Sequence, residues 1–426
     1  MQFDLIIVGG GAAGLWAAAK ASECGCRTLL LEKNSQIGVK ILMSGGTRCN
    51  ITHATDDRGI VDAFAAFDKK QAAFLRSALA TLPPQDVIEL IESEGVATKV
   101  EKTGKIFPVS NRAIDVRDAL VRRAIKSGAQ IQTDSPVESI QKESESFVIR
   151  FKHTELKARR VLITSGGQSY PGCGTTGDGY AWAKKFGHTI VNPVPALTPI
   201  TTNEDWVTSL KGLTMDDASI SVVRRDQERE STGYGVKQFL DTRRSSLLFT
   251  HFGFSGPAAL DISRVITRRD DRSQLCLVCD FVTTVKFETL LTQLTNRFRD
   301  QGKKNVITIL PEFVPRRLAE AVIVKASVSP NTRAAELSKK QIRKLVIGLK
   351  SSLVPISGTL GFKKAEVTGG GVSLAEVDSR TMQSKLVAGL YFAGEVLDID
   401  GPIGGFNFQA AFSTGRLAGE HAARDY

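Results

Sequence analysis

Three glycines in one turn constrain this chain more than any other feature. The apolar run Asp4-Leu5-Ile6-Ile7-Val8 leads into Gly9-Gly10-Gly11-Ala12-Ala13-Gly14. A helical stretch from Leu15 to Cys24 follows. Then comes a second apolar run, Thr28-Leu29-Leu30-Leu31, ending on Glu32. Strand, glycine turn, helix and strand with a terminal acid form the βαβ dinucleotide fingerprint. Gly9 permits the tight turn, Gly11 lets a pyrophosphate approach the backbone, and Gly14 lets the helix sit close to the strand. The helix N-terminus offers free N–H groups and a partial positive charge to phosphates. Glu32 stands where a carboxylate accepts ribose hydroxyls. An isolated GxGxxG is an ordinary glycine-rich turn; the flanking elements here argue against that.

A chain of 426 residues has room for roughly two or three domains. Met1-Gln2-Phe3-Asp4 carries no basic leader, and no apolar run approaches the ~20 residues of a membrane helix. A cytoplasmic location and no membrane partner are therefore expected. The six cysteines form no framework. Cys276-Leu277-Val278-Cys279 has CxxC spacing but lies in a strand-like run, where positions i and i+3 face opposite sides. Buried core residues are expected there. The five histidines show no metal-ligand spacing, so no metal site is expected.

The net charge is +11, and it is unevenly placed. Residues 283–354 hold 14 Lys and Arg against 5 Asp and Glu, a local excess of +9. Such a field suggests an anionic partner. The candidate phosphate contacts are Lys303, Lys304, Arg316, Arg317, Lys339, Lys340, Arg343 and Lys344, with RNA as the expected partner. A merely solvated helical face is the plain alternative.

The texture of the chain changes twice. Residues 1–190 and 355–426 alternate strands, glycine turns and helices. They read as one α/β Rossmann-like domain of the two-dinucleotide-binding flavoprotein type. Its expected helices include Gln71–Leu82, Gln85–Glu94 and Ile114–Lys126, and its 130–152 region reads as a β-meander. Lys40–Asn50 reads as a glycine-rich loop. Residues 191–354 read as an insertion. Within it, 191–282 is β-barrel-like, 283–330 is helical and basic, and 331–354 is the return to the first domain, with helices expected at Phe287–Arg299, Pro315–Lys325 and Lys339–Leu349.

The C-terminal part narrows the choice of dinucleotide. The run Gly389-Leu390-Tyr391-Phe392-Ala393-Gly394-Glu395 reads as a strand ending in an acid suited to ribityl hydroxyls. Gly404-Gly405-Phe406-Asn407 opens a last helix whose N-terminus would face an isoalloxazine. FAD is the expected cofactor. No second complete GxGxxG occurs, so NAD(P)H is expected only as a transient electron donor.

Five runs are together highly specific: Ser44-Gly45-Gly46-Thr47-Arg48-Cys49-Asn50, Ser165-Gly166-Gly167-Gln168-Ser169-Tyr170-Pro171, Thr176-Gly177-Asp178-Gly179-Tyr180, Phe249-Thr250-His251-Phe252-Gly253-Phe254-Ser255-Gly256-Pro257 and Tyr391-Phe392-Ala393-Gly394-Glu395-Val396-Leu397-Asp398. Across essentially its whole length the chain resembles the bacterial NAD(P)/FAD-dependent oxidoreductase family that includes aminoacetone oxidase-like proteins. The resemblance implies an FAD domain carrying an inserted β-barrel with a helical subdomain. It implies FAD contacts at Gly9, Gly11, Gly14, Glu32, Lys33, Lys40, Ser44, Gly46, Val137, Gly394, Glu395 and Asn407. Ala12, Ala13, Gly45, Asn50, Gly166, Gly405 and Phe406 line the same turns and are candidates with them. Thr47 stands where the family pattern has a third glycine, and Thr164-Ser165 where Ala-Thr is usual.

Relatives of this kind oxidise amines, reduce unsaturated steroid-like rings, or reduce a uridine of ribosomal RNA to dihydrouridine. A fold-level match does not choose among them. The basic insert favours an RNA substrate. The alternatives are a small organic substrate and a non-catalytic flavin module. Cys49, beside Arg48, is a candidate proton donor, since a nearby cation lowers a thiol's pKa. Arg48 is a candidate for holding an anion, and His251 a candidate acid or base. Tyr170 could offer a phenol, and Asp178 reads first as a helix N-cap.

Overall fold

The computed structural model describes residues 3–225 and 238–424. The chain divides into two compact units, 1–195 with 365–426 and 196–364.

In the first unit the fully buried strand Phe3–Val8 is central. The sheet runs in the order 130–132, 28–31, 3–8, 154–163, 146–151, 137–143. The first four are parallel, with Ile6 opposite Leu29 on one side and Val161 on the other. The last two form an antiparallel meander. Strand 154–163 is long enough to serve two neighbours along one edge. Its first half pairs with 146–151, placing Ala158 opposite Phe147. Its second half pairs in parallel with 390–392, placing Val161 opposite Leu390. The C-terminal segment thereby enters the sheet begun at the N-terminus.

The helices Ala12–Glu23 and Phe406–Arg424 pack at unusually close range. A Cβ on Gly415 would overlap the Ala13 carbonyl oxygen, and one on Gly419 would overlap that of Ala17. Three features of this unit differ from expectation. Strand 130–132, read as part of a 130–152 meander, pairs in parallel with 28–31 at the opposite edge of the sheet from 137–143. Asp57–Ala65 is a helix capped by Asp56, whose carboxylate accepts the Gly59 N–H at 2.8 Å. Lys40–Asn50 is not all loop: a helix starts at Val39, and the chain departs from it at Ser44.

The second unit has its own core. Its antiparallel sheet runs 352–355, 275–280, 214–224, 241–250, 253–255, 200–201, 358–359. Segment 352–359 bonds to both ends of this order: the Ile356 N–H donates to Leu275 O at 3.1 Å and the Ser357 N–H to Thr201 O at 2.9 Å. The region read as purely β also holds a helix, Pro257–Thr267, whose Ala258, Ala259, Ile262 and Ile266 face this core. Residues 331–354, expected as a return to the first domain, carry the helix Lys339–Lys350, close to the helix expected over Lys339–Leu349. Its Ile342, Leu345, Val346 and Leu349 join Leu290, Leu294 and Phe298 in the second core. That burial holds the segment in the insertion, so the junctions fall after 195 and 364 rather than 190 and 354. Cys276 and Cys279 are both buried and belong to different apolar clusters, as their spacing in a strand requires.

A buried histidine makes the first unit acid-sensitive. His188 Nε2 lies 2.8 Å from Ser384 Oγ and its Nδ1 3.3 Å from Glu376. Burial lowers its pKa, outweighing Glu376. The folded state therefore resists protonation where the unfolded chain accepts it. This contribution is fully present above about pH 6.5 and declines as pH falls below that value. His53, also lowered by burial, adds to the same trend. Denaturant unfolding at pH 7.5 and 5.5 is expected to show the loss, and a smaller loss in His188→Gln.

Candidate active site

The first glycine turn is built as a phosphate cradle. Gly9 has φ +112°, and a Cβ there would lie 2.6 Å from Thr164 O. A Cβ on Gly14 would overlap the Gly9 carbonyl oxygen. At Gly11 nothing lies within 4 Å, so that side of the turn is open. The helix beginning at Ala12 has no side-chain cap and no acid in its first turn. Its terminal N–H groups are left for an anion. Ala13, behind the turn, is buried where a Cβ on Gly394 would meet it at 2.8 Å. Glu32 pins the turn: its Oε2 accepts the Gly10 N–H at 2.7 Å and its Oε1 the Asn34 N–H at 2.9 Å. A carboxylate has about four acceptor positions, so capacity for hydroxyls remains. Lys33 instead turns to the 176–178 segment, donating to Thr176 Oγ1 at 2.7 Å and pairing with Asp178 at 2.6 Å. Asp178 is thus an ion-pair partner; the N-cap position belongs to Gly177.

The C-terminal half of the site gathers on Glu395. Its Oε1 accepts from Ser169 Oγ at 2.6 Å and from the Thr368 N–H at 2.7 Å, and its Oε2 pairs with Lys40. Lys40 also donates to Ser169 Oγ at 2.5 Å. Gly394, at φ +75°, donates its N–H to Thr414 Oγ1 at 3.0 Å. Gly166 turns at φ +74° after the long strand. Asn50, with its amide oriented to satisfy its neighbours, accepts the Gly405 N–H at 2.9 Å and donates to Thr52 O and Ile106 O. Asn407 closes its own loop, bonding both the N–H (2.8 Å) and the carbonyl (3.0 Å) of Gly401. The helix Phe406–Arg424 has no acid in its first turn. Its N-terminus suits an electron-rich ring edge. Val137 opens an edge strand opposite Phe151, and no bond ties it to these groups.

The fingerprint turn and the Glu395 network meet on one sheet, through the Ala13–Gly394 approach and strand 154–163. The cradle at Gly11 and two buried polar atoms without partners, Ser165 Oγ and the Tyr180 hydroxyl, fit a dinucleotide held at both ends.

The loop after Val39 takes a left-handed path. Gly45 and Gly46 have φ +55° and +67°, and Thr47 and Cys49 follow at +67° and +61°. Ser44 Oγ donates to Ile41 O at 2.7 Å where the path begins. The third glycine of the family pattern would sit at Thr47, where a β-branched residue is strained. Thr47→Gly is expected to stabilise the protein by about 0.5–1 kcal/mol, after allowing for glycine's added unfolded-state entropy. Thermal unfolding checks this.

The cation–thiol pairing expected at Arg48 and Cys49 does not form. Arg48 bonds Glu101 at 2.7 Å and lies over the Phe107 ring at 4.1 Å. Cys49 is fully buried, and burial pushes its thiol up to about 12, outweighing the opposing effect of the neighbouring Ser44 side chain. His251 stands exposed on the turn between strands 241–250 and 253–255 of the second unit. Sequence reasoning passed over His53, whose ring stacks on Phe406 at 4.9 Å and whose Nε2 lies 3.2 Å from Thr103 O. It also passed over Glu366. Both face residues distant in sequence, so no local pattern marks them.

In the second unit, Lys303, Lys304, Arg316, Arg317, Lys339, Lys340, Arg343 and Lys344 are all exposed. Arg316 pairs with Glu320, and Arg317 donates to Ser209 O and Lys211 O. Arg343 lies over the Phe287 ring. Ala334 N–H donates to Lys304 O at 2.9 Å, which lays the 303–304 turn beside the approach to Lys339.

Residues 3–421 match the family model described as HI0933-like protein Rossmann domain. The chain is 33% identical over 413 residues to a ribosomal RNA dihydrouridine synthase of Escherichia coli (strain K12), covering 97% of this chain and 96% of the relative. It is 30% identical over 424 residues to a 3-dehydro-bile acid delta(4,6)-reductase of Clostridium scindens, covering 98% of each. Among solved structures, 3-ketosteroid-delta4-(5alpha)-dehydrogenase from Rhodococcus jostii RHA1 shares the fold with TM-score 0.54 at 15% identity, covering 99% of this chain and 97% of that one. With the fingerprint turn, the C-terminal acid and the sheet that joins them in place, the chain belongs to the HI0933-like Rossmann family of FAD-dependent oxidoreductases.

Proposed function

We propose that this protein is a reductase that uses FAD to saturate a uridine of ribosomal RNA, giving dihydrouridine, with NAD(P)H as the electron donor. The observation that carries this is the exposed basic face of the helix Lys339–Lys350. Its Lys339, Lys340, Arg343 and Lys344 point outward while Ile342, Leu345, Val346 and Leu349 are buried. Lys339 and Lys340 occupy the first turn, where the helix dipole disfavours cations. Helix stability does not account for them, and a polyanionic partner would. The similarity to the Escherichia coli relative agrees with this choice.

Bound FAD would supply the hydride. The chain's own groups divide the remaining work. The N–H groups after Gly11 and the Glu32 carboxylate hold the adenosine diphosphate portion. Glu395, fixed by Lys40 and Ser169, takes the ribityl hydroxyls, and the helix from Phe406 favours negative charge on the ring. The target base must leave its stack before it can be reached. Cys49 remains a protonated, buried thiol.

Deleting the gene and measuring rRNA nucleosides by mass spectrometry is expected to show loss of dihydrouridine; unchanged dihydrouridine overturns the RNA substrate. Anaerobic bleaching of the yellow protein by NADH or NADPH checks the donor. The 30% identity to the bile acid reductase supports a second reading, a small unsaturated ring as substrate. Turnover of such a ring with no RNA affinity at low salt would establish that alternative.

A further inference from the structure

Saturating a double bond needs a proton as well as a hydride. Arg48 is tied to Glu101, and the Cys49 thiol is buried and held near 12. Neither is suited to giving one up.

A group of ionisable side chains at the carboxyl ends of the central parallel strands is. Strand 154–163 runs out into Thr164-Ser165-Gly166-Gly167, and strand 390–392 into Ala393-Gly394-Glu395. Ligands of open α/β sheets bind outside these ends. Thr368 Oγ1 accepts the N–H groups of Gln168 at 2.8 Å and Ser169 at 3.0 Å, while its own N–H donates to Glu395. These bonds lay segment 366–368 beside segment 168–170. Glu366 thereby comes within electrostatic reach of Tyr170, Lys40 and Glu395. Lys40 already balances Glu395. Glu366 is part-buried and makes no hydrogen bond or ion pair among the described residues.

We propose that Glu366 is a catalytic acid of this site, delivering the proton that accompanies hydride transfer. The inference rests on the flavin-reductase reading above. In the step, the hydride from reduced flavin adds to one carbon of the substrate double bond. The Glu366 O–H bond breaks, a C–H bond forms at the adjacent carbon, and a carboxylate is left facing Lys40. Water then reprotonates it. The surroundings agree: burial raises the Glu366 carboxyl, Lys40 opposes this and Glu395 adds to it. Burial, Glu366 and Cys173 likewise raise Tyr170.

The test uses the yellow holoprotein, reduced anaerobically with dithionite and mixed with ribosomal RNA from cells lacking the gene. Glu366→Gln is expected to keep its flavin and its reduction by dithionite, and to slow reoxidation by RNA about a hundredfold or more. Glu366→Asp is expected to retain part of the rate, which separates lost acid from lost fold. Independently, redox-induced infrared difference spectra should show a carboxylic C=O band that shifts in heavy water and vanishes in Glu366→Gln. Reoxidation of Glu366→Gln at the parent rate, or a parent protein without that band, overturns the assignment. A colourless parent overturns the flavin reading itself, and this one with it. A yellow parent that ignores RNA overturns only the substrate, and the infrared band still decides Glu366.

Discussion

Alanine at Gly11 is expected to cost the protein its yellow colour and little of its stability. Nothing lies within 4 Å of a Cβ built there, so the folded chain accepts the methyl group. Surface changes of that kind stay within about 0.5 kcal/mol. The methyl group would instead stand between the backbone and a pyrophosphate. Losing one charge-assisted hydrogen bond costs about 1.5–3 kcal/mol, or roughly ten- to a hundredfold in affinity. Gly14→Ala should behave in the opposite order. Its Cβ would overlap the Gly9 carbonyl oxygen, which is backbone and cannot swing aside. Overpacking of this severity costs about 3 kcal/mol or more, a large part of a typical domain's stability. Titrating apoprotein with FAD and following thermal unfolding on both variants separates the two roles. Equal loss of fold in both would mean that Gly11 is structural and that the open side of the turn holds no ligand.

Replacing Lys303, Lys304, Lys339, Lys340 and Lys344 together with glutamine is expected to weaken RNA binding by about a hundredfold or more at low salt. Each contact to a single-stranded phosphate contributes about 0.7 to the slope of log affinity against log salt. The slope should therefore flatten by about 3.5 if all five reach phosphates. Stability should not fall. All five are exposed, none forms an ion pair among the described residues, and two oppose the dipole of their own helix. Filter binding across a salt series gives both quantities. A slope that does not move would place the nucleic acid elsewhere on the protein or remove it altogether.

Part of the fold and of the site is legible in the chain itself. Spacing alone marks Gly9, Gly11 and Gly14, because a turn between buried strands admits few residues there. Strand parity separates Cys276 from Cys279. The helix Asp57–Ala65 went unread although Asp56 is a strong cap, since a short amphipathic stretch looks like loop beside a glycine-rich run. Pro257–Thr267 was hidden among short strands for the same reason. Glu366, His53 and His188 were out of reach: their environments come from residues such as Tyr170, Phe406 and Ser384, 353 positions away for the pair His53–Phe406 and 196 for His188–Ser384. Arg48 failed as a thiol activator because Glu101 and Phe107, brought in by a hairpin, claim its guanidinium.

The nesting of Gly415 and Gly419 against Ala13 and Ala17 sets an order of events during synthesis. The helix that carries the phosphate turn is made some 400 positions before the surface it docks on. Until that late segment appears, an alanine-rich face of the nascent chain stays uncovered, and the whole insertion has time to fold first. The cofactor's two half-sites can thus be joined only after the segment that carries Gly415 and Gly419 has been made.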